Sequence, residues 1–363
     1  MTNKKRILTV LRGQKPDRIP IDIWHTPEVL DSLKNRYGQQ DTLVLYKRMG
    51  LDKLVWVLMD YKSDPNAQAL DSQCRSNAQI SKTIWGVPIK EVKTGQSVYQ
   101  ESVEAPLKNY DIVESLDDYP YWPDIDKFDY DMAANAAQKA SQDFVVLGPW
   151  ISLFEIYCQL RGLEDALMDL ILKSKLAESI LDRIETHQTD MMKRLFSRAA
   201  DYFDLCFISD DMGSQNGLLI SPELWDRFFK HRMKRWCDLI HSYGLKVFYH
   251  SDGACEPLIG RLIDAGIDVL NPIQHICPGM AMDQLKDKYG QRVIFHGGVD
   301  NQSVLPFGTP QDVRNEVKKC LQTLGRDGRG YIGCSCHNIQ AGTPIDNILA
   351  MVDEFTQSAE ARQ

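Results

Sequence analysis

Leu205-Cys-Phe-Ile-Ser-Asp210-Asp211 is an apolar run that stops abruptly on two carboxylates. Four later runs repeat the form: Val247-Phe-Tyr-His250-Ser-Asp252, Val269-Leu-Asn271-Pro-Ile-Gln274, Val293-Ile-Phe-His296-Gly-Gly-Val-Asp300 and Tyr331-Ile-Gly-Cys334-Ser-Cys336-His337-Asn338. Between them lies enough chain for a helix and a turn. Continuous rather than alternating apolar runs fit parallel strands covered on both faces. Strand, polar tip and helix, repeated, bring reactive groups from several strand ends to one mouth of a parallel α/β barrel.

Three upstream runs, Ile19-Pro-Ile-Asp-Ile-Trp24, Leu54-Val-Trp-Val-Leu58 and Phe144-Val-Val-Leu-Gly148, bring the count to eight, the number that closes a TIM-type (β/α)8 barrel. Thr26-Pro27, Ser221-Pro222, Thr309-Pro310 and Thr343-Pro344 each offer a hydroxyl as helix cap with proline at the first helical position. After the second run the texture changes. Gln79-Ile-Ser-Lys-Thr-Ile-Trp-Gly-Val-Pro-Ile-Lys90 and Ser97-Val-Tyr-Gln-Glu-Ser-Val103 alternate, which predicts an antiparallel β-hairpin on the rim. With the aromatic, acidic stretch up to Asp131, this makes an insertion over about residues 79–131 in a single domain spanning 1–363.

Composition narrows the class. Of 363 residues, 43% are hydrophobic and 25% charged, and the net charge of -8 argues against nucleic acid and anionic membrane surfaces as partners. No apolar run approaches a membrane span or a signal peptide. Nine cysteines, an odd number without an export signal, point to a reducing cytoplasm rather than a disulfide framework.

His250 and Asp252, two residues apart on an extended segment, point to the same side. They are either a metal pair, completed by Cys334, Cys336 or His337, or a carboxylate that orients a neutral histidine. Only one of Asp210 and Asp211 needs to enter the cavity, because neighbours on a strand point oppositely; Asp210 is the expected one. Asp210, His250 and His296 are the expected catalytic groups. Asp22, Trp24, Trp150, Asn271, Gln274 and Asp300 are the expected substrate-binding set, with Gly297-Gly298 allowing a ligand close to the backbone.

These stretches resemble the uroporphyrinogen decarboxylase superfamily. The likeness runs from Lys15-Pro-Asp-Arg18-Ile-Pro-Ile-Asp22 through Ser221-Pro-Glu-Leu-Trp225, Tyr243 to Gly253, Leu262 to Gln274 and Phe295 to Asp300. It continues into Gly330-Tyr-Ile, His337-Asn-Ile-Gln340 and Thr343-Pro344. The resemblance implies a TIM-type barrel. The decarboxylase proper carries an arginine-rich Arg-Gln-Ala-Gly-Arg segment that grips a tetrapyrrole, where this chain has Asp22-Ile-Trp-His25-Thr-Pro27. The resemblance therefore implies the superfamily's other branch, methyltransferases that work with corrinoid proteins. In its coenzyme M enzymes zinc is held by a His-x-Cys pair and a later cysteine; the matching positions here are His250, Asp252 and His337, with Cys334 and Cys336 just upstream. Carboxylate and imidazole in place of thiolate make a harder site and argue against coenzyme M as acceptor.

The resulting expectation is a demethylating methyltransferase that moves a methyl group from a small O- or N-methylated substrate to a corrinoid on a partner protein. It would use a divalent metal, zinc, and a homodimer is compatible with it. A decarboxylase or lyase on the same barrel, or a non-catalytic tetrapyrrole-binding protein, are the alternatives.

Overall fold

The computed structural model describes residues 1–61, 81–94 and 97–357. The apolar runs do become strands, and most of their residues are withdrawn from water. The strands are β1 (Leu54–Trp56), β2 (Ser81–Lys82), β3 (Pro88–Thr94), β4 (Ser97–Ser102), β5 (Val145–Ile151), β6 (Leu205–Ser209), β7 (Lys246–His250), β8 (Val269–Asn271), β9 (Ile294–Val299) and β10 (Tyr331–Ser335). Seven of them form one curled sheet in the order β1-β5-β6-β7-β8-β9-β10, every neighbouring pair parallel. This is a TIM-type α/β fold. β2, β3 and β4 form a separate antiparallel sheet, the expected rim hairpin extended by one short strand. Gln79 and Ile80, where that insertion was expected to begin, lie outside the described residues.

Alternation sorts the strand residues. Leu205 and Phe207 join Leu54, Val145, Leu147, Phe248, Val269 and Ile332 in an inner cluster. Cys206 and Ile208 instead join the larger layer beneath the surrounding helices. Ile7, Val10 and Leu11 of the helix Asn3–Leu11 pack into the inner cluster, so this helix plugs the end of the barrel opposite the strand tips. Two of the hydroxyl-proline starts cap as expected: Ser221 caps Pro222–Phe228, and Thr309 forms a capping box with Asp312 at Pro310–Thr323, whereas the Thr26 hydroxyl makes no cap bond to the helix Pro27–Tyr37. No described helix is long and apolar enough to cross a membrane.

The expected first strand, 19–24, is reduced to bridges. Gly333 N–H donates to Pro20 O and Asp22 N–H to Gly333 O, both at 2.8 Å, and Asp52 N–H donates to Ile21 O at 2.9 Å. The segment thus spans the gap between β10 and the foot of β1. Side chains take several of the other ladder groups: Ile21 N–H donates to the Asp52 carboxylate, Ile23 N–H to that of Asp22, and Ile23 O accepts from Lys53 Nζ. Pro20 has no N–H to offer.

Asp52 is fully buried and accepts from Arg6 of the floor helix and from Arg18 Nη1 at 2.7 Å, as well as from Ile21. It ties floor, closing segment and β1 together. Asp52→Ala should therefore cost about 3 kcal/mol, the scale for removing one partner of a buried ion pair. Denaturant unfolding checks this; an unchanged midpoint would mean that Asp17, the other carboxylate on Arg6, is sufficient.

Candidate active site

Below the mouth, five buried side chains form one continuous hydrogen-bonded chain. Lys53 Nζ donates to Asp22 Oδ1 at 2.9 Å, and Asp22 Oδ2 lies 3.2 Å from His296 Nε2. Asn271 Nδ2 stands 2.8 Å from His296 Nδ1, and Asn271 Oδ1 stands 2.6 Å from His250 Nδ1. Asp22, His296 and Asn271 are 0% exposed and His250 5%. Five elements supply the chain: the closing segment (Asp22), the lead-in to β1 (Lys53), β7 (His250), β8 (Asn271) and β9 (His296). Lys53, at φ 33°, is the one non-glycine residue with positive φ among those described, and this unusual backbone accompanies the placement of its ammonium on Asp22.

Electrostatics follow from burial and partners. Burial pushes the Asp22 carboxyl up, but the Lys53 ammonium and His296 outweigh it and hold it below the usual carboxylate range. Burial holds His296 below an ordinary histidine, against the pull of Asp22. His250 goes the other way: burial opposes its charge, yet the carboxylates of Asp252 and Asp211 raise it.

His250 Nε2 faces the mouth. It lies 3.8 Å from Asp252 and 3.7 Å from Asp211, and His337 Nε2 lies 3.9 Å from the other Asp252 oxygen. The two imidazole rings are 5.7 Å apart. Donor atoms of His250, Asp252 and His337 all fall within 4.8 Å of one another. The side chains of Asp211, Asp252 and His337 keep 47%, 34% and 41% of their surface, so the cluster is open on one side. That suits a catalytic metal position better than a closed structural one. Asp252 N–H donates to Asp211 at 2.8 Å, and Gly253 N–H to Gln274 Oε1 at 2.8 Å, which pins the loop. Gly213 and Gly253 let the two loops touch backbone to backbone: a Cβ on Gly253, at φ +80°, would meet Ser214 O at 2.5 Å.

Several expectations are corrected. Asp211, not Asp210, reaches the cluster. Asp210 Oδ1 accepts from Ser152 Oγ and from the N–H groups of Leu153, Phe154 and Glu155, capping the helix Phe154–Arg161. Cys334 and Cys336 do not join His250. The Cys336 thiol contacts Ile273 O at 3.3 Å, while Cys334 lies with Asp22 and His296. That second group of donors already holds the Lys53 ammonium, so its charge is satisfied without a metal. Asp300 is turned onto its own loop, accepting from Gln302 and Ser303, and does not bind across the mouth. Gly297 and Gly298, both at positive φ, make room for the protein itself: a Cβ on Gly297 would stand 3.3 Å from Ile273 N.

Trp24 lies beside His250, whereas Trp150 lines a recess whose walls include none of the cluster residues. Trp24, whose indole N–H donates to Asp22 Oδ2, lies edge-on to Trp56 and Phe207 and tilted against Phe248, His250 and His296, with ring centroids within 6.0 Å, an aromatic floor under the mouth. Trp150 turns toward that recess, lined also by Leu58, Met59, Trp85, Phe128 and Met191.

Glu155 is a residue that sequence reasoning missed. It lies beside Ser209 (Oγ to Oε2 3.3 Å), the residue paired in register with His250. Burial, with Asp211 and Asp210 nearby, pushes its carboxyl up to about 8, which favours the protonated form at neutral pH. The only sequence signal was its place four residues past a strand end.

The chain can be compared with known proteins once this geometry is drawn. The family model described as uroporphyrinogen decarboxylase (URO-D) matches residues 85–357. No curated protein matches the chain. Among solved structures, a methyltransferase from Methanosarcina mazei superposes with a TM-score of 0.66 at 17% identity, covering 99% of each chain. A GH10 xylanase with a bacterial Ig-like domain, from termite gut, reaches only 0.43 at 9% identity over 77% of this chain and 86% of that one, too distant to bear on function.

The raised Glu155 gives a signed pH effect. The folded state keeps a proton that the unfolded chain, at the ordinary value of 4.5, has released, so stability falls as pH rises from about 4.5 through about 8. Glu155→Gln should flatten the melting temperature against pH over that window; parallel curves for both proteins would remove Glu155 as the cause. By the match across most of its length, with a fold to suit, this chain belongs to the uroporphyrinogen decarboxylase (URO-D) family.

Proposed function

We propose that the protein is a corrinoid-dependent methyltransferase of the demethylating kind, acting on a small O- or N-methylated substrate, with a corrinoid on a partner protein as methyl acceptor. The observation that carries this reading is the open cluster of His250, Asp252 and His337 beside a neutral carboxyl and an aromatic floor. The URO-D family and the full-length likeness in fold to a methyltransferase support it.

His250, Asp252 and His337 would hold a divalent metal, zinc foremost, with Asp211 at the open edge. Bound there, the ion supplies Lewis-acid polarisation of a leaving oxygen or nitrogen. Two imidazoles and a carboxylate form a harder set than thiolates and favour such atoms over sulfur. In the transfer the carbon–oxygen or carbon–nitrogen bond breaks and the methyl group takes up the electron pair of Co(I). The leaving atom then needs a proton, which Glu155 carries at neutral pH. Trp24, Phe207 and the recess beside Trp150 present apolar surface to the rest of the substrate and keep water from it.

Decarboxylation of a polycarboxylate finds less support. Such a substrate asks for cations, and Arg18 and Lys53 of the N-terminal segment are both bound to buried carboxylates.

Mixed with a Co(I) corrinoid and a panel of aryl methyl ethers and methylamines, the purified protein should consume the Co(I) absorbance with at least one donor. Glu155→Gln should slow this ~10²–10⁴-fold, the range for a lost general acid. Elemental analysis should find one zinc per chain, absent from His250→Ala. No corrinoid methylation, with carbon dioxide released from a carboxylated substrate, would establish the decarboxylase instead.

A further inference from the structure

We propose that Asn271 is a positioning residue that transmits the orientation of the buried Asp22–Lys53 pair to His250, locking that imidazole in the form protonated on Nδ1. Its Nε2 lone pair is thereby presented to the mouth. This deepens the reading of His250 as the mouth's donor, although it depends only on the chain of hydrogen bonds.

Each link leaves the next a single choice. Asp22, held as a carboxylate by Lys53 at 2.9 Å, has no proton to give, so its Oδ2 accepts. His296 Nε2, 3.2 Å away, is therefore the N–H of that ring. A neutral His296 then has a lone pair on Nδ1, which faces the Asn271 amide at 2.8 Å. Only the amide nitrogen can donate there. A second contact fixes the amide independently: the same nitrogen stands 3.4 Å from the His296 carbonyl, which can only accept. The amide oxygen is therefore turned to His250 Nδ1 at 2.6 Å, where only an N–H satisfies it.

The reverse arrangement would set a ring lone pair against the Asp22 carboxylate and the amide oxygen against the His296 carbonyl. No water can intervene, because Asp22, His296 and Asn271 are fully buried. An amide at the central position passes on direction without carrying charge. A carboxylate there would accept from both rings and erase the directionality. A donor whose second nitrogen is hydrogen-bonded in this way is the usual partner of a metal or of a proton to be accepted.

The test is the tautomer itself. The full chain with ¹⁵N-labelled histidine is examined by long-range ¹H–¹⁵N correlation NMR at alkaline pH, where the imidazole is neutral. The His250 signals are assigned by their loss in His250→Gln. Wild type should show pyrrole-type Nδ1 and pyridine-type Nε2 at His250. Asn271→Leu should move both toward averaged values, with the His337 signals unchanged. Should that variant fail to fold, Asp22→Asn serves: its amide can donate to His296, so the chain can reverse, and the His250 signals should shift although Asp22 does not touch His250. An Nε2–H form at His250 in wild type would overturn the proposal. So would His250 signals that stay fixed in Asn271→Leu, or in Asp22→Asn while those of His296 move. Zn²⁺ titration adds a second readout, in which Asn271→Leu should weaken binding ~10–100-fold. If wild type binds no Zn²⁺, the metal reading fails while the tautomer result stands by itself.

Discussion

Lys53 and Asp22 form the constraint on which the rest of the site depends. An unpaired carboxylate inside a barrel would take up a proton, and an unpaired ammonium would lose one. Together, at 2.9 Å, they keep a fixed charge beneath the mouth. The consequence for the fold is visible in the closing segment, where Ile23 gives its N–H to Asp22 and its carbonyl to Lys53 instead of to a neighbouring strand. One barrel stave is thus partly given up so that a charge can be held at its centre. The indole of Trp24 and the ring of His296 then settle around the same carboxylate.

Loop packing does for the mouth what this pair does for the interior. Asp211 and Asp252 lie on separate strand ends, yet the bond from the Asp252 N–H to the Asp211 carboxylate and the glycines at 213 and 253 bring the loops into contact. Gln274 holds the second loop from β8. His250 therefore meets, in Asp211, a carboxylate held by a backbone N–H, a condition under which a small donor cluster stays in register.

The barrel was legible because buried parallel strands leave a continuous apolar trace that ends where the sheet ends. His250, Asp252 and His337 were legible for the same reason, since polar residues at strand tips face the mouth. Lys53 was not: a lysine just ahead of a strand looks like a solvated residue, and nothing local shows that its backbone turns the ammonium inward. Asp210 and Asp211 show the limit of periodicity. Alternation says that one of the two enters the cavity, but the choice was made by the helix Phe154–Arg161, distant in sequence, whose N–H groups claimed Asp210. Glu155 opens the helix Phe154–Arg161, where no alternation marks it, and its protonated state depends on burial and on carboxylates that arrive from another strand. The two cysteines were misplaced because spacing along a strand does not say which side of the barrel wall a side chain occupies.

The burial of those cysteines bears on chemical durability. Cys334 and Cys336 are withdrawn from water, and burial raises both thiols well above the ordinary value, so neither exists as the thiolate that peroxide attacks. The groups that do meet at the mouth are imidazoles and carboxylates. An arrangement built this way loses no side chain to thiol oxidation when the surroundings turn oxidising, and it is independent of any cellular system that keeps sulfur reduced.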